Sequence, residues 1–246
     1  MTKLPADVYL SRARLRRDVP SSALRTLLVP SDDSARVSAG HKLVWTLFGD
    51  SPGRERDFLW REAQPGVFYF LSRRPPEDRH GFFDLDPVKP FAPSLRAGDR
   101  LAFALRANAT IARGGGPGVR GKPCDVVMDA LHSVPSGKRA EVRQRAVNQA
   151  GLEWLGRQGE KSGFLLPRLE AEQDTGSEGA TEGQPVRVMG YRTLRVDHGR
   201  KPARLGILDF EGVLEVCDPD AFVAAIARGF GRAKAFGCGL MLVRRA

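Results

Sequence analysis

The sequence predicts an α+β fold in which one order of strands and helices is used twice. Hydrophobic side chains make up 41% of the 246 residues, which is enough to form sizeable cores. A segment that contains Pro87, Pro90 and Pro93 divides the chain into a shorter and a longer part. Because prolines at this spacing block both a helix and a central strand, we expect two domains and an extended linker. Their bounds are residues 1–86 for the first domain, 87–98 for the linker and 99–246 for the second domain.

The first half contains patterns for strands and for one clear helix. An opening strand is predicted at Val8–Leu15, and capping residues at Ser31–Ser34 precede a helix expected over Ala35–Phe48. A Gln-Pro-Gly turn at residues 64–66 separates "DFLWREA" from "VFYFLS", which predicts a hairpin, and "GFFDLD" predicts a further strand. A second helix is only weakly indicated, because "PPEDRH" offers little of one.

The second half gives the same order more clearly. Apolar residues alternate along the strand Arg100–Asn108, and the helix Lys138–Gln158 has one apolar face. The last helix begins with Asp218 as its N-cap and Pro219 in its first turn. The remaining strands are expected at Phe164–Arg168, Pro185–Val196, Ala203–Val216 and Gly239–Arg245. The order strand, helix, strand, strand, helix, strand is that of a ferredoxin-like unit. We therefore predict two tandem ferredoxin-like (RRM-like) domains, and the four-stranded face of such a unit is a common RNA platform.

Two segments of the second half are predicted to be loops. Residues 112–123 are rich in glycine and basic, which is typical either of a disordered linker or of a loop that touches RNA. Residues 170–185 are acidic and contain little apolar surface, so we expect a mobile loop there.

The charge balance favours an anionic partner. Lys and Arg number 39 against 29 for Asp and Glu, so the formal net charge is +10, which favours nucleic acid. No apolar run is long enough to span a membrane, and the first residues lack the apolar region of a secretory signal. We therefore expect a cytoplasmic protein without a membrane partner.

Two basic clusters carry much of this charge. One is "RARLRR" at Arg12–Arg17, and the other is a predicted hairpin between Arg187 and Arg204 with a single opposing acid, Asp197. A basic two-stranded ribbon can neutralise phosphates along a nucleic-acid groove. The alternative for either cluster is an ordinary solvated face.

The cysteines suggest neither a metal site nor a disulfide framework. Cys124, Cys217 and Cys238 are far apart in the sequence and odd in number, so we interpret them as small packing thiols. We expect no metal and no cofactor.

A glycine-rich block, "RGFGRAKAFGCGL" at Arg228–Leu240, precedes the last strand. It fits neither a P-loop, which needs Ser or Thr after its Lys, nor a dinucleotide fingerprint. One interpretation is bare backbone that approaches phosphate beside Arg232 and Lys234. The other is a helix end followed by a turn.

Together these segments resemble the CasE-type CRISPR-associated endoribonucleases of type I-E systems. The resemblance is carried by "HKLVWTLF" (His41–Phe48), "LRAN" (Leu105–Asn108), "LDFEGVLEV" (Leu208–Val216) and the glycine-rich block. It implies two ferredoxin-like domains and metal-independent cleavage of CRISPR precursor RNA at the base of the repeat hairpin. It also implies that the enzyme stays on the mature crRNA with the other subunits of the Cascade complex. The partners would be the repeat stem-loop RNA and those subunits.

The resemblance also implies a site. The catalytic histidine of the family corresponds to His41, and the family's tyrosine three residues earlier is replaced here by Ser38. The basic hairpin would grip RNA, and we predict RNA binding by Arg195, Arg200, Lys201 and Arg204, with Arg232 and Lys234 from the glycine-rich block. Attack by the 2′-OH would leave a 2′,3′-cyclic phosphate and a 5′-OH.

From the residues alone, the position of His41 has two interpretations. If the helix is continuous from Ala35, His41 lies near an apolar face and could be a packed core residue. If Gly40 breaks the helix, His41 begins a new one and is open to a cleft. His80, His132 and His198 are the other histidines.

The replacement of tyrosine by serine keeps a second function open. A non-catalytic RNA-binding subunit of a CRISPR ribonucleoprotein would share the fold and the charge. A metal-dependent DNA nuclease is disfavoured, because the sequence has no clustered carboxylates.

Overall fold

Two antiparallel sheets, one in each half of the chain, organise the computed structural model. It describes residues 8–16, 32–49, 53–114, 121–167, 186–198 and 201–246. The acidic segment 170–185 and the middle of the glycine-rich segment 112–123 lie outside these residues. The ends of that second segment are not loop as predicted, because they pair as a short hairpin.

The first sheet has the strand order β2-β3-β1-β4, and a fifth short strand, β5, also pairs with β1. Its elements are β1 (Tyr9–Leu15), α1 (Asp33–Trp45), β2 (Phe58–Gln64), β3 (Val67–Ser72), β4 (Phe83–Leu85) and β5 (Lys89–Pro90). No helix occurs between β3 and β4 in the described residues 73–82, in keeping with its weak signal. Because β5 lies inside the predicted linker 87–98, that linker begins as an edge of the first sheet.

The second sheet repeats this order as β10-β11-β6-β12. Its half comprises β6 (Arg100–Ala107), β7 (Thr110–Arg113), β8 (Lys122–Asp125), α2 (Val126–Ala130), α3 (Arg139–Ser162), β9 (Phe164–Leu165), β10 (Arg187–His198), β11 (Lys201–Val216), α4 (Pro219–Arg228) and β12 (Met241–Arg245). In the first sheet β2 and β4 lie at the two ends of this order, and in the second sheet β10 and β12 take the same places. The prediction of two ferredoxin-like units is therefore confirmed, with the β7–β8 hairpin and α2 inserted after β6.

Local chemistry sets the ends of the helices. Asp218 caps α4 by accepting a 3.0 Å hydrogen bond from the Ala221 N–H, as its position before Pro219 predicts. The helix α3 ends at Gly163, which has φ 73°. A Cβ at Gly163 would lie 2.3 Å from the Asp218 carbonyl oxygen, so only glycine allows this helix to end against the start of α4.

Packing joins the two halves. Leu59 and Leu71, both from the first sheet, belong to the same hydrophobic cluster as Leu105 and Phe210 of the second. Each fully buried leucine contributes about 2 kcal/mol to the free energy of unfolding, so the two halves are held in contact and are not independent domains. Elsewhere the sheets are separated by a cleft of about 980 Å³. Phe103, the aromatic residue of β6, is only 5% exposed, so its ring is not available to stack on a base.

A smaller hydrophobic cluster joins three segments of the chain. It contains Leu194 and Val196 of β10, with Cys238 of the glycine-rich block, and Val37 of α1 packs against it. The first helix, the long hairpin and the glycine-rich block therefore meet at one junction.

Candidate active site

His41 lies at the junction of the two halves. It projects from α1 and is partly exposed. Its Nδ1 is 2.8 Å from the carbonyl oxygen of Ala235 in the glycine-rich block. A carbonyl can only accept, so Nδ1 carries the hydrogen and the lone pair of the neutral ring is on Nε2. The ring is thereby oriented by a backbone group from the other half of the chain.

The same carbonyl holds a second ring. The indole Nε1–H of Trp60, on β2, donates a 3.0 Å hydrogen bond to the Ala235 oxygen. The ring of Phe236 lies 5.4 Å from the His41 ring, between centroids. His41 thus has contacts on several sides that restrict its orientation.

Of the two interpretations of α1, the continuous helix is the one that the structure shows, and Gly40 does not break it. The helix α1 runs without interruption through Gly40, from its N-cap at Asp32. A Cβ at Gly40 would lie 3.2 Å from Cη2 of Trp60, so this glycine lets the helix approach that ring closely. Although the helix is continuous, His41 is not a core residue, because Leu43 and Val44 take the buried face.

Ser38 lies one turn before His41 on α1 and is also partly exposed. Residues three apart on a helix share a side, so the hydroxyl and the imidazole project from the same part of α1. A serine hydroxyl can donate and accept a hydrogen bond but lacks the acidity of a phenol.

The basic hairpin is formed by β10 and β11. Arg195 and Arg204 lie opposite each other across the two strands, and both are exposed. Like charges directly opposite destabilise a sheet, and a bound phosphate would relieve that cost. Lys201 begins β11 at the end of the hairpin, and Arg200 lies outside the described residues.

The hairpin is anchored to α1. The backbone N–H of Arg195 donates to Oγ of Ser34 at 3.1 Å. The Arg192 guanidinium forms ion pairs with Asp209, at 3.1 Å, and with Asp33, at 3.9 Å. Because two acids face its guanidinium, Arg192 fixes the hairpin to α1.

The glycine-rich block serves packing. Gly237 has φ 74°, and a Cβ there would lie 3.1 Å from Cζ3 of Trp60. This glycine is buried inside the protein and does not offer bare backbone to a ligand. Of the two cations predicted here, Arg232 is exposed and Lys234 is partly buried.

Asn108, the last residue of "LRAN", holds the block in place, and sequence reasoning had given it no role. Its backbone carbonyl accepts from the Arg232 N–H at 3.2 Å. Its side-chain Nδ2 donates to the Gly206 carbonyl of β11 at 2.7 Å. Asn108 is 5% exposed, so this polar residue connects the block to the hairpin from the interior.

Acids pair with the described arginines of the first basic cluster, which favours the alternative of an ordinary solvated face. Arg12 and Arg14 both form ion pairs with Asp86, and Arg16 lies 3.9 Å from Asp84. The pairing of β1 with β4 brings these acids alongside the arginines. This side of the first sheet is therefore not a strongly cationic face.

The cysteines divide into two kinds. Cys238 is buried as a packing thiol, and burial raises its pKa to about 12. Cys217 is exposed, so the interpretation as a packing residue is wrong there. Within the described ranges, no group of three potential metal ligands comes together. None of the helices in those ranges combines the length and the apolar character that crossing a membrane requires.

Further ion pairs form within each half, and no local signal in the sequence predicts them. Arg106 of β6 forms a bidentate pair with Asp209, with its shorter contact at 2.8 Å. Arg36 of α1 lies 3.8 Å from Glu62 of β2. These ion pairs flank the junction that holds His41.

The chain combines two ferredoxin-like domains, a histidine at their junction and an exposed cationic hairpin beside that histidine. This arrangement suits a protein that presents a proton-transfer group to an anionic ligand. The sequence model of a family described as "CRISPR associated protein" matches residues 8–245. The chain belongs to this family of CRISPR-associated proteins, and it is homologous to the Cse3 and CasE proteins.

Individual relatives agree with this assignment. The CRISPR-associated endoribonuclease Cse3 of Thermus thermophilus is 31% identical over 205 residues, which cover 78% of this chain and 81% of the relative. The CRISPR system Cascade subunit CasE of Escherichia coli is 24% identical over 206 residues, which cover 82% and 88%. A structure of Thermus thermophilus Cse3 bound to an RNA that represents a pre-cleavage complex has a TM-score of 0.64. It is 26% identical and covers 97% of this chain and 99% of its own.

Proposed function

We propose that this protein is a metal-independent endoribonuclease that cleaves CRISPR precursor RNA at the base of the repeat hairpin. The observation that carries the proposal is the imidazole of His41, oriented by the Ala235 carbonyl at 2.8 Å and flanked by the hairpin that bears Arg195 and Arg204. The homologous Cse3 endoribonuclease, a structure of which contains RNA, supports the same substrate class here.

RNA supplies its own nucleophile, the 2′-OH beside the scissile phosphate. Cleavage requires removal of the hydroxyl proton, in-line attack on phosphorus and protonation of the departing 5′-oxygen. With Nδ1 hydrogen-bonded to the carbonyl, Nε2 of His41 is the nitrogen suited to exchange a proton with the RNA. The products would be a 2′,3′-cyclic phosphate and a 5′-OH.

Ser38 is the second proposed participant. From its place one turn before His41, its hydroxyl can donate a hydrogen bond to the reacting groups, but it cannot match the acidity of tyrosine. General acid–base catalysis contributes roughly 10²–10⁴-fold, so we expect slow cleavage. A slow single turnover suffices for an enzyme that remains bound to its product.

The RNA grip is assigned to Arg195, Arg200, Lys201 and Arg204 of the hairpin, with Arg232 and Lys234 from the glycine-rich block. The exposed pair Arg195 and Arg204 presents two adjacent positive charges, which suits the phosphates of a stem. We infer that the protein then stays on the mature crRNA with other Cascade subunits, as its homologue is a Cascade subunit. We place this activity in the cytoplasm.

The test is cleavage of a repeat stem-loop RNA in EDTA. Wild-type protein should cut it, and a 2′-deoxy substitution at the scissile nucleotide should block the cut. His41→Ala should abolish cleavage and leave the affinity for the stem-loop within about twofold, because a proton-transfer group contributes little to ground-state binding. His80→Ala, at an exposed turn, is the matched control and should cut normally. Loss of stem-loop binding in His41→Ala would mark His41 as structural.

The second candidate is a non-catalytic RNA-binding subunit, which Ser38 in place of tyrosine favours. It predicts that the wild-type protein shifts the stem-loop in a gel and leaves it uncut under every condition. Ser38→Ala separates the two candidates further. It should slow cleavage by an active enzyme, and it should leave stem-loop binding by a non-catalytic subunit unchanged.

A further inference from the structure

Three cations lie at the glycine-rich block. Arg228, which ends α4, and Lys234 both belong to the block. Arg56 precedes β2, and β2 contacts the block where Trp60 donates to the Ala235 carbonyl, next to Lys234. The Lys234 Nζ donates a 2.8 Å hydrogen bond to the Arg228 carbonyl. We call these three residues the cation triad.

No acid balances the triad within the described part of the chain. None of its members has an ion pair there, and Asp57, next to Arg56 in sequence, pairs instead with Arg74 at 2.9 Å. Nη1 of Arg56 is buried and has no hydrogen-bond partner among those residues. An unpartnered buried guanidinium nitrogen is costly, so this group is suited to an acceptor oxygen that the described residues do not provide.

The electrostatics of Lys234 agree with this arrangement. Burial lowers the pKa of Lys234, and the positive charges of Arg56 and Arg228 lower it further. By contrast, the partly buried Arg106 has Asp209 at 2.8 Å. Like charges held together without an acid are stabilised by an anion, and a phosphodiester provides both the charge and the acceptor oxygens.

The triad and the hairpin contact the His41 junction through different segments. The hairpin contacts α1 at Ser34, seven residues before His41, which corresponds to about 10 Å along a helix. Lys234 immediately precedes Ala235, whose carbonyl contacts the His41 ring. Arg56 lies four residues before Trp60, which donates to the same carbonyl. An RNA that passes His41 can therefore contact the hairpin and also reach the triad.

We propose that the cation triad is a second RNA site, which binds phosphodiesters of the single strand that continues from the stem beyond the scissile linkage. This inference rests on the proposed function, because it takes His41 as the point of cleavage. The hairpin would hold the stem, the triad would hold the strand, and together they would keep the linkage at the imidazole.

The experiment compares two RNAs that cannot be cut. One is the repeat stem-loop alone, and the other extends it by several single-stranded nucleotides across a 2′-deoxy scissile position. Arg56→Gln should weaken binding of the extended RNA about tenfold, the effect of one charge-assisted contact, and leave binding of the bare stem-loop unchanged. For the extended RNA, the slope of log K against log salt concentration should become shallower by about 0.7, the value for one single-strand phosphate.

Three variants make the result specific. Arg56→Lys should restore most of the affinity, because it keeps the charge. Arg228→Gln changes an exposed side chain and should reproduce the defect without a loss of thermal stability. Arg157→Gln removes the same charge from an exposed position on α3 and should bind both RNAs as the wild type does.

Equal weakening of both RNAs would overturn the inference, since the triad would then bind the stem. Unchanged binding of both would overturn it as well. Failure of the proposed function is a separate result: wild-type protein would leave the 2′-OH form of the extended RNA uncut, while the binding difference could still be measured.

Discussion

Gly237 provides the sharpest test of how the glycine-rich block positions His41. Gly237→Ala places a Cβ on a residue with φ 74°, at 3.1 Å from Cζ3 of Trp60. The left-handed conformation costs an L-residue about 1–2 kcal/mol. Forcing a methyl group into a packed site costs a further ~1–3 kcal/mol. We therefore expect the free energy of unfolding to fall by about 2–5 kcal/mol.

Urea unfolding at equilibrium measures this loss, from the change in midpoint at constant slope. Gly156→Ala is the matched control, because Gly156 lies within α3 and a Cβ there meets nothing within 4 Å. It should stabilise the protein by up to about 1 kcal/mol. A loss below about 1 kcal/mol for Gly237→Ala would refute the argument. The same variant should slow cleavage, because Gly237 packs on Trp60 and lies two residues after Ala235, whose carbonyl orients His41.

Three other changes have definite expected outcomes. Replacing Arg195 and Arg204 together by Gln should lower the salt dependence of stem-loop binding by about 1.8, at about 0.9 per duplex phosphate; an unchanged slope in a filter-binding titration would exclude this pair from the RNA grip. Asn108→Ala should cost about 1–3 kcal/mol in urea unfolding, because it leaves a buried carbonyl of β11 without its 2.7 Å hydrogen bond; a smaller loss would mean that water replaces the amide. In folded protein at pH 8, iodoacetamide should modify Cys217 and spare Cys238, whose pKa burial raises to about 12; mass spectrometry would contradict this if both thiols reacted alike.

The fold could be predicted because its signals are local. Leu101, Phe103 and Leu105 alternate along β6 and are all buried, and Asp218 before Pro219 marks the start of α4. The interpretation with a break at Gly40 treats a glycine inside a helix as a breaker, and the structure does not bear it out. Glycine is needed at position 40 because Trp60 approaches the helix closely there. Trp60 lies on β2, and no local sequence pattern places that strand beside the helix.

The candidate site was predicted less completely. The resemblance indicated His41, and the run of cations between Arg187 and Arg204 indicated the hairpin. The contact that orients the imidazole joins His41 to Ala235, which is 194 positions away, and no spacing rule links them. The role that we propose for Arg56 has no sequence signal for the same reason, since a lone arginine before a strand follows no motif.

By itself, the sequence determined most of the strands and helices, how many units they build and how much positive charge the chain carries. These properties follow from side-chain periodicity, capping residues and composition, which act over a few neighbouring residues. Only the tertiary structure decided which charges remain without an acid: Arg12 and Arg14 meet Asp86, whereas Arg56 and Lys234 meet none in the described residues. The physical reason is that Coulomb energy and desolvation depend on distance in space and on burial, and the folded chain sets both.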